Sequence, residues 1–195
     1  MSLRSSAYSW GSVAKLLHWM MACGVLAAIA CGIAMGWFLD SNIGLKFRVY
    51  QIHKSLGFLL LCLAIVRLGW RLSADETPAL PDGMKPHERL LAEAVHVALY
   101  ICLIAQPLLG WAGASASPLN IPTVVFGWFT LPRLIAANAK AEAWLNGTHL
   151  VVGWLMTGII GLHIAGALYH HVFLKDGTLN RMLPHLRQHR KGSMR

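Results

Sequence analysis

Two histidines bracket an apolar stretch in the last third of the chain, HLVVGWLMTGIIGLH, running from His149 to His163. Imidazole binds metals and carries protons, and ionisable groups in so apolar a segment are costly and usually functional. Read as a helix, their spacing of 14 residues is a rise of about 21 Å and a return to within about 40° of the same face. The two rings therefore share one stripe at two depths. Each depth has a candidate partner on another apolar segment: His18 at the depth of His163, and His53 at that of His149. A single four-histidine centre is excluded by the distance between levels.

Two imidazoles facing each other across a bundle suit axial ligation of a haem iron. Zinc or copper is the alternative, although two histidines alone make a poor zinc site. A helix lying against a porphyrin also needs a small residue about one turn from its ligand. Four positions after the histidines stand Ala22, Gly57, Gly153 and Ala167. Small residues also serve plain helix packing. His96 competes as a ligand at the inner depth, beside Glu93, but the corresponding position is the bulky Tyr100. A hydrogen-bonded core or haem-edge role is expected for it.

Further ionisable groups fall on the same faces. Arg67 lies 14 residues after His53, hence at the inner level, where a charge wants an anionic partner such as a haem propionate. Snorkelling to the interface is the alternative. Lys54 has the same two options at the outer level. His170 continues the His163 stripe to the inner interface, placed to hydrogen-bond or protonate a quinone headgroup. An interfacial pair with His171 is the simpler reading.

Elements that position these groups follow from composition. The 195 residues are 56% hydrophobic and 13% charged, with mean hydropathy +0.52, whereas a soluble domain carries about a quarter charged residues. Four stretches are long enough to cross a bilayer: residues 16–39, 50–71, 89–112 with Pro107 inside, and 147–174. The fold expected is all-α, a transmembrane four-helix bundle forming one membrane domain over 1–195. The segment 73–89 reads as a polar loop. In the long connection 113–146, a short surface helix is expected in the second half. Residues 181–195 read as a basic tail near anionic lipid.

The net charge of +9 reflects residues flanking membrane spans and not nucleic acid binding. With the N-terminus inside, twelve Lys and Arg residues fall on inner segments and five outside (Lys46, Arg48, Lys54, Arg133, Lys140). This places both termini in the cytoplasm. Cys23, Cys31, Cys62 and Cys102 all lie in apolar runs without CxxC or CxxCH, against thioether-linked haem or a cysteine zinc site. They are expected to be small buried residues.

The chain resembles the prokaryotic cytochrome b561 family from about Val13 to Pro184. The resemblance is carried by KLLHWMMA at 15–22, IHKSLGFLLLCLAIVRLGWRL at 52–72, HVALYICLIAQPLLGW at 96–111 and GTHLVVGWLMTGIIGLHIAGALYHHVFLKDGTLNRMLP at 147–184. It implies a bacterial inner (plasma) membrane protein with two non-covalent, bis-histidine haem b groups. His18 with His163 and His53 with His149 would be the ligands, the pairs that depth matching selects. It implies a quinone partner with His170 at its site and, for some members, superoxide oxidation outside with ubiquinone reduced. A superoxide:ubiquinone oxidoreductase is thus the leading expectation. A haem b anchor carrying electrons between the quinone pool and a soluble redox protein is the alternative. A haem-free proton-relay transporter, which predicts no visible absorption, is the third.

Overall fold

The structure is a computed structural model that describes residues 2–6, 9–73, 78–79 and 84–183. Four long helices dominate it: α1 (Ser12–Trp37), α2 (Ile43–Ser73), α3 (Pro86–Ala116) and α4 (Ala139–Tyr169). All four are long and apolar enough to cross a membrane. Helices α2 and α3 extend past both ends of the apolar stretches that announced them, whereas α1 and α4 begin earlier but stop at Trp37 and Tyr169, short of the expected ends at 39 and 174, because helical hydrogen bonding runs on until capping or turn residues stop it. Pro86 opens α3, where its missing N–H costs nothing, and Glu88 reaches back to the Lys85 N–H at 3.0 Å. Pro107 stands inside α3 without ending it. The expected tail lies outside the described residues beyond Leu183, as do 74–77 and 80–83 of the polar loop.

The long connection between α3 and α4, at the end of the bundle read from sequence as outer, departs from expectation. Its second half holds no separate surface helix. The residues from Ala139 onward are already the first turns of α4, capped by Asn138, whose Oδ1 accepts the N–H groups of Lys140 and Ala141 at 3.0 Å each. Its first half folds into an antiparallel hairpin, β1 (Thr123–Val125) with β2 (Phe129–Leu131), in register Val124 opposite Thr130. The turn closes with Trp128 N–H on the Val125 carbonyl at 2.9 Å. Phe126 and Gly127 both have positive φ, the geometry that matches strand twist in tight hairpins.

Helix α1 packs on α2, α2 on α3, and α3 on α4. Backbone approach of α4 to α1 or α2 is nearly absent. At mid-depth a small core closes the bundle: Met21 and Val25 of α1, Leu60 and Ala64 of α2, Cys102 of α3 and Met156 of α4. Large apolar side chains such as Leu26, Ile65, Val66, Val151 and Leu155 face outward, as suits helices solvated by lipid. This corrects the expectation for the cysteines. Cys102 is buried, but Cys23 and Cys62 are exposed, since a thiol facing lipid needs no protein cover.

Ser55 ties the hairpin to the bundle. It is only 1% exposed. Its hydroxyl accepts the Phe126 N–H at 3.0 Å and donates to the Gln51 carbonyl at 2.8 Å, with the Val124 carbonyl at 3.2 Å also in reach. Ser55→Ala leaves the part-buried Phe126 N–H unpaired and should destabilise the protein by about 1 kcal/mol. Thermal unfolding in detergent and protease cleavage within 117–138 check this; an unchanged melting temperature and cleavage rate would refute it.

Candidate functional site

The histidine pairs meet where the helices do not. At the outer level His53 of α2 and His149 of α4 face each other with ring centroids 6.0 Å apart and planes at 85°. His53 Nδ1 lies 2.9 Å from the Ala28 carbonyl of α1, and His149 Nδ1 lies 3.0 Å from the Gln106 carbonyl of α3. A carbonyl only accepts, so each Nδ1 carries a proton and each Nε2 keeps its lone pair. Gln106 returns the bond, its Nε2 donating to the His149 carbonyl at 2.8 Å. Four helices thus orient one pair.

Small residues make room in different ways. A Cβ on Gly110 would lie 3.0 Å from His149 Cε1, so the ring reaches α3 only because Gly110 has no side chain. Gly57, one turn beyond His53, borders open space with nothing within 4 Å of a built Cβ, as a flat group between the helices requires. Gly153 was expected to give such clearance, but a Cβ there would lie 2.9 Å from Gln106 Nε2. Its smallness serves the Gln106 side chain.

At the inner level His18 of α1 faces His163 of α4 with centroids 6.2 Å apart. His96 of α3 is also drawn in, 5.2 Å from His163, with its Nδ1 on the Ala92 carbonyl at 2.7 Å. Arg67 reaches this level as its spacing predicts. It lies within electrostatic range of all three rings, and its Nε donates to the Tyr100 hydroxyl at 3.2 Å. Arg71 stands 5.9 Å from the Tyr100 ring. Tyr100, expected to crowd the site, instead holds the arginine.

The donor set fits axial haem ligation. An imidazole centre lies about 3 Å from a metal on its nitrogen, so two trans imidazoles place their centroids about 6 Å apart. Both pairs have that separation. Among the described residues no group of three or more His, Cys, Asp or Glu is arranged to hold a metal ion.

Other expected residues are spread around these levels. Lys54 turns to the outer loop, donating to the Pro122 carbonyl at 3.0 Å over the Tyr50 ring. Arg133 binds the carbonyls of Ser115 and Ser117 and the Asn120 side chain, and Lys46 pairs with Asp40 at 2.5 Å. His170 pairs with Asp176, Nδ1 to Oδ2 at 2.5 Å. Sequence reasoning missed Asp176 and Gln106, and gave Tyr100 a crowding role in place of its bond to Arg67. The pattern HH-x3-KD, polar groups just past an apolar span, is the signal that could have found the first.

A four-helix membrane bundle with facing imidazole pairs, open between α4 and the first two helices, has the frame of a b-type membrane cytochrome. The sequence model of the prokaryotic cytochrome b561 family matches residues 9–185. The chain belongs to that family. It is similar to cytochrome b561 homolog 2 of Escherichia coli (strain K12), 32% identical over 186 residues, covering 94% of this chain and 95% of the relative. It is similar to a probable superoxide oxidase of Yersinia pestis, 31% identical over 175 residues, covering 86% and 92%. Cytochrome b562 of Cereibacter sphaeroides is 26% identical over 174 residues, covering 86% and 90%. The chain is accordingly a multi-pass inner-membrane protein of a family that binds haem b and transfers electrons.

Gly110→Val should push the His149 ring off the Gln106 carbonyl, with a packing cost of about 1–3 kcal/mol. Haem retained per chain, measured by pyridine haemochrome on purified protein, should fall. Full haem content at wild-type stability would contradict this geometry.

Proposed function

We propose that the chain holds two haem b groups, oxidises superoxide at the outer face and reduces a ubiquinone near the inner one, with both termini in the cytoplasm. The observation that carries this reading is the pair of facing imidazole couples, each about 6 Å apart by centroid. His53 with His149 would hold the outer group and His18 with His163 the inner. Haem b held by these histidines would supply one-electron redox chemistry.

The chain's own residues have distinct tasks on this reading. The Nδ1–H bonds to Ala28 and Gln106 fix the outer imidazoles and raise their basicity as ligands. Arg67, braced by Tyr100, offers positive charge to a propionate at the inner level. The mid-depth layer of Met21, Val25, Leu60, Ala64, Cys102 and Met156 keeps water from between the levels. Superoxide is an anion and is drawn to positive potential. Among the described residues Lys54 and Arg133 bond to neutral acceptors and no carboxylate pairs with them beside the outer hairpin, whereas Asp40 neutralises Lys46. His170, at the inner end of α4, is the group placed to hydrogen-bond a quinone. The net reaction takes two superoxide anions, one quinone and two protons to two dioxygen molecules and one quinol.

The similarity to a probable superoxide oxidase supports this donor. The hairpin favours a second reading, a carrier serving a soluble redox protein: Trp128 is 86% exposed and Leu119 76%, an apolar tip that a partner could cover. Purified protein given only superoxide and ubiquinone should form quinol. Activity that needs an added redox protein would replace the first reading with the second.

His149→Ala and His163→Ala should each halve the haem per chain, one removing the outer group and the other the inner. Two haems retained in either variant would refute the assignment.

A further inference from the structure

Several local features converge where α4 ends. The helix widens into a π-helical turn over His170–Leu174. Lys175 then takes φ +52°, in the left-handed region that non-glycine residues rarely occupy. The chain so turned brings Asp176 back onto His170, with Oδ2 at 2.5 Å from Nδ1 and the two side chains 16% and 15% exposed. The other carboxylate oxygen, Oδ1, accepts the Thr178 N–H at 2.9 Å. π-turns and left-handed non-glycine residues cost stability and cluster at functional sites. What the distortion yields here is the His170–Asp176 pair.

The segment after Asp176 is anchored on three sides. Trp19 Nε1 donates to the Met182 carbonyl at 2.9 Å, Lys15 Nζ to that of Leu183 at 3.3 Å, and Arg181 to that of Ala79 at 2.7 Å. The short helix α5 (Thr178–Met182) is thereby held against α1. Ionisable groups on the neighbouring segments include His171 and Lys175 beside the turn, Arg181 on α5, Lys15 on α1, Arg71 at the end of α2 and His87, Glu88, Arg89 and Glu93 at the start of α3. No other carboxylate lies on α1, the π-turn or α5. Burial works to raise the Asp176 carboxyl, but hydrogen bonds from Thr178 and His170 outweigh it and hold it below its ordinary value. It stays ionised at neutral pH.

We propose that Asp176 is the positioning residue of the quinone-reducing site: it fixes a proton on His170 Nδ1, presents Nε2 to the headgroup and stabilises the imidazolium that donates to it. This rests on the reading of His170 as facing a quinone. Reduction of a quinone to its quinol takes two electrons, from two superoxide anions oxidised outside, and two protons. One proton passes from His170 Nε2 to a headgroup oxygen, forming its O–H bond as the carbonyl becomes C–O. His170 is left neutral, with Nδ1–H still donated to Asp176, and inner water restores its proton. A second proton follows by the same route. A carboxylate behind an imidazole serves as orienter and counter-charge in the same way elsewhere.

The test uses haem-loaded, full-length protein with a soluble ubiquinone analogue and 15N-histidine labelling. Asp176→Asn should keep its haem and hold KM within about threefold, while kcat falls about tenfold or more. The ring-nitrogen shifts of His170, assigned by their loss in His170→Gln, should move away from the Nδ1–H tautomer. Asp176→Glu, which keeps the charge, should recover kcat to within about threefold of wild type. Unchanged kcat in Asp176→Asn, an unmoved tautomer, or a Glu variant as slow as the Asn variant would overturn the proposal. If His170→Gln is slow and Asp176→Asn is not, the role of Asp176 alone fails. If His170→Gln leaves quinone kinetics unchanged, the quinone reading fails with it.

Discussion

The structure depends on how an imidazole is satisfied inside a bilayer. No water is at hand there, so a ring N–H must find a protein acceptor or cost several kcal/mol. At the outer level the acceptors are backbone carbonyls of neighbouring helices, Ala28 for His53 and Gln106 for His149. Each bond settles three things together. It satisfies a donor, fixes the tautomer, and joins a helix to one beside it. The nitrogen left over is a Lewis base for which no hydrogen bond is found among the described residues, on the side where α4 faces α1 and α2.

That space follows from the packing. Helices α1 to α4 follow one another as close neighbours, yet α4 does not close onto the first two. In a membrane, apolar burial does little to pull helices together, because lipid tails are as apolar as leucine. A bundle can therefore stay open along one seam, provided its polar groups are satisfied and something flat completes the contact. Only at mid-depth do Met156, Met21 and Leu60 share one core. That layer lies between the two imidazole pairs.

Much of this was legible in the sequence because helical geometry is regular. A spacing of 14 residues fixes both depth and azimuth, so His149 and His163, and His53 and Arg67, could be placed before any coordinates. Pairing across helices needed only a common depth. What escaped the sequence was set by local accidents of backbone. The hairpin at 123–131 is made of short strands, signalled only by the β-branched run Thr-Val-Val, a glycine and the aromatic Phe-Thr-Leu. Gly153 had the right size for a macrocycle but its neighbour is Gln106, which a one-dimensional offset does not reveal. Asp176 lies beyond the apolar pattern, and it meets His170 only because a π-turn and a left-handed Lys175 fold the chain back.

The two ends of the bundle are built to different rules, and the difference bears on direction. The outer end is sealed by neutral hydrogen bonding. Ser55, Gln51 and Lys54 all bond to the loop that carries the hairpin, and Arg133 binds carbonyls within it. The acid and base that meet there, Asp40 and Lys46, neutralise each other, while Lys54 and Arg133 bond to neutral acceptors, and on the proposed reading one-electron chemistry on an anion like superoxide needs positive potential more than it needs protons. The inner end carries the His170–Asp176 pair on a distorted backbone strapped to α1. Proton-coupled chemistry needs a group that gives and regains a proton while its orientation is held. On the proposed function, electrons would enter without protons at the hairpin face and leave with them at the strapped end, which matches the unpaired positive charge at the one and the acid–base pair at the other.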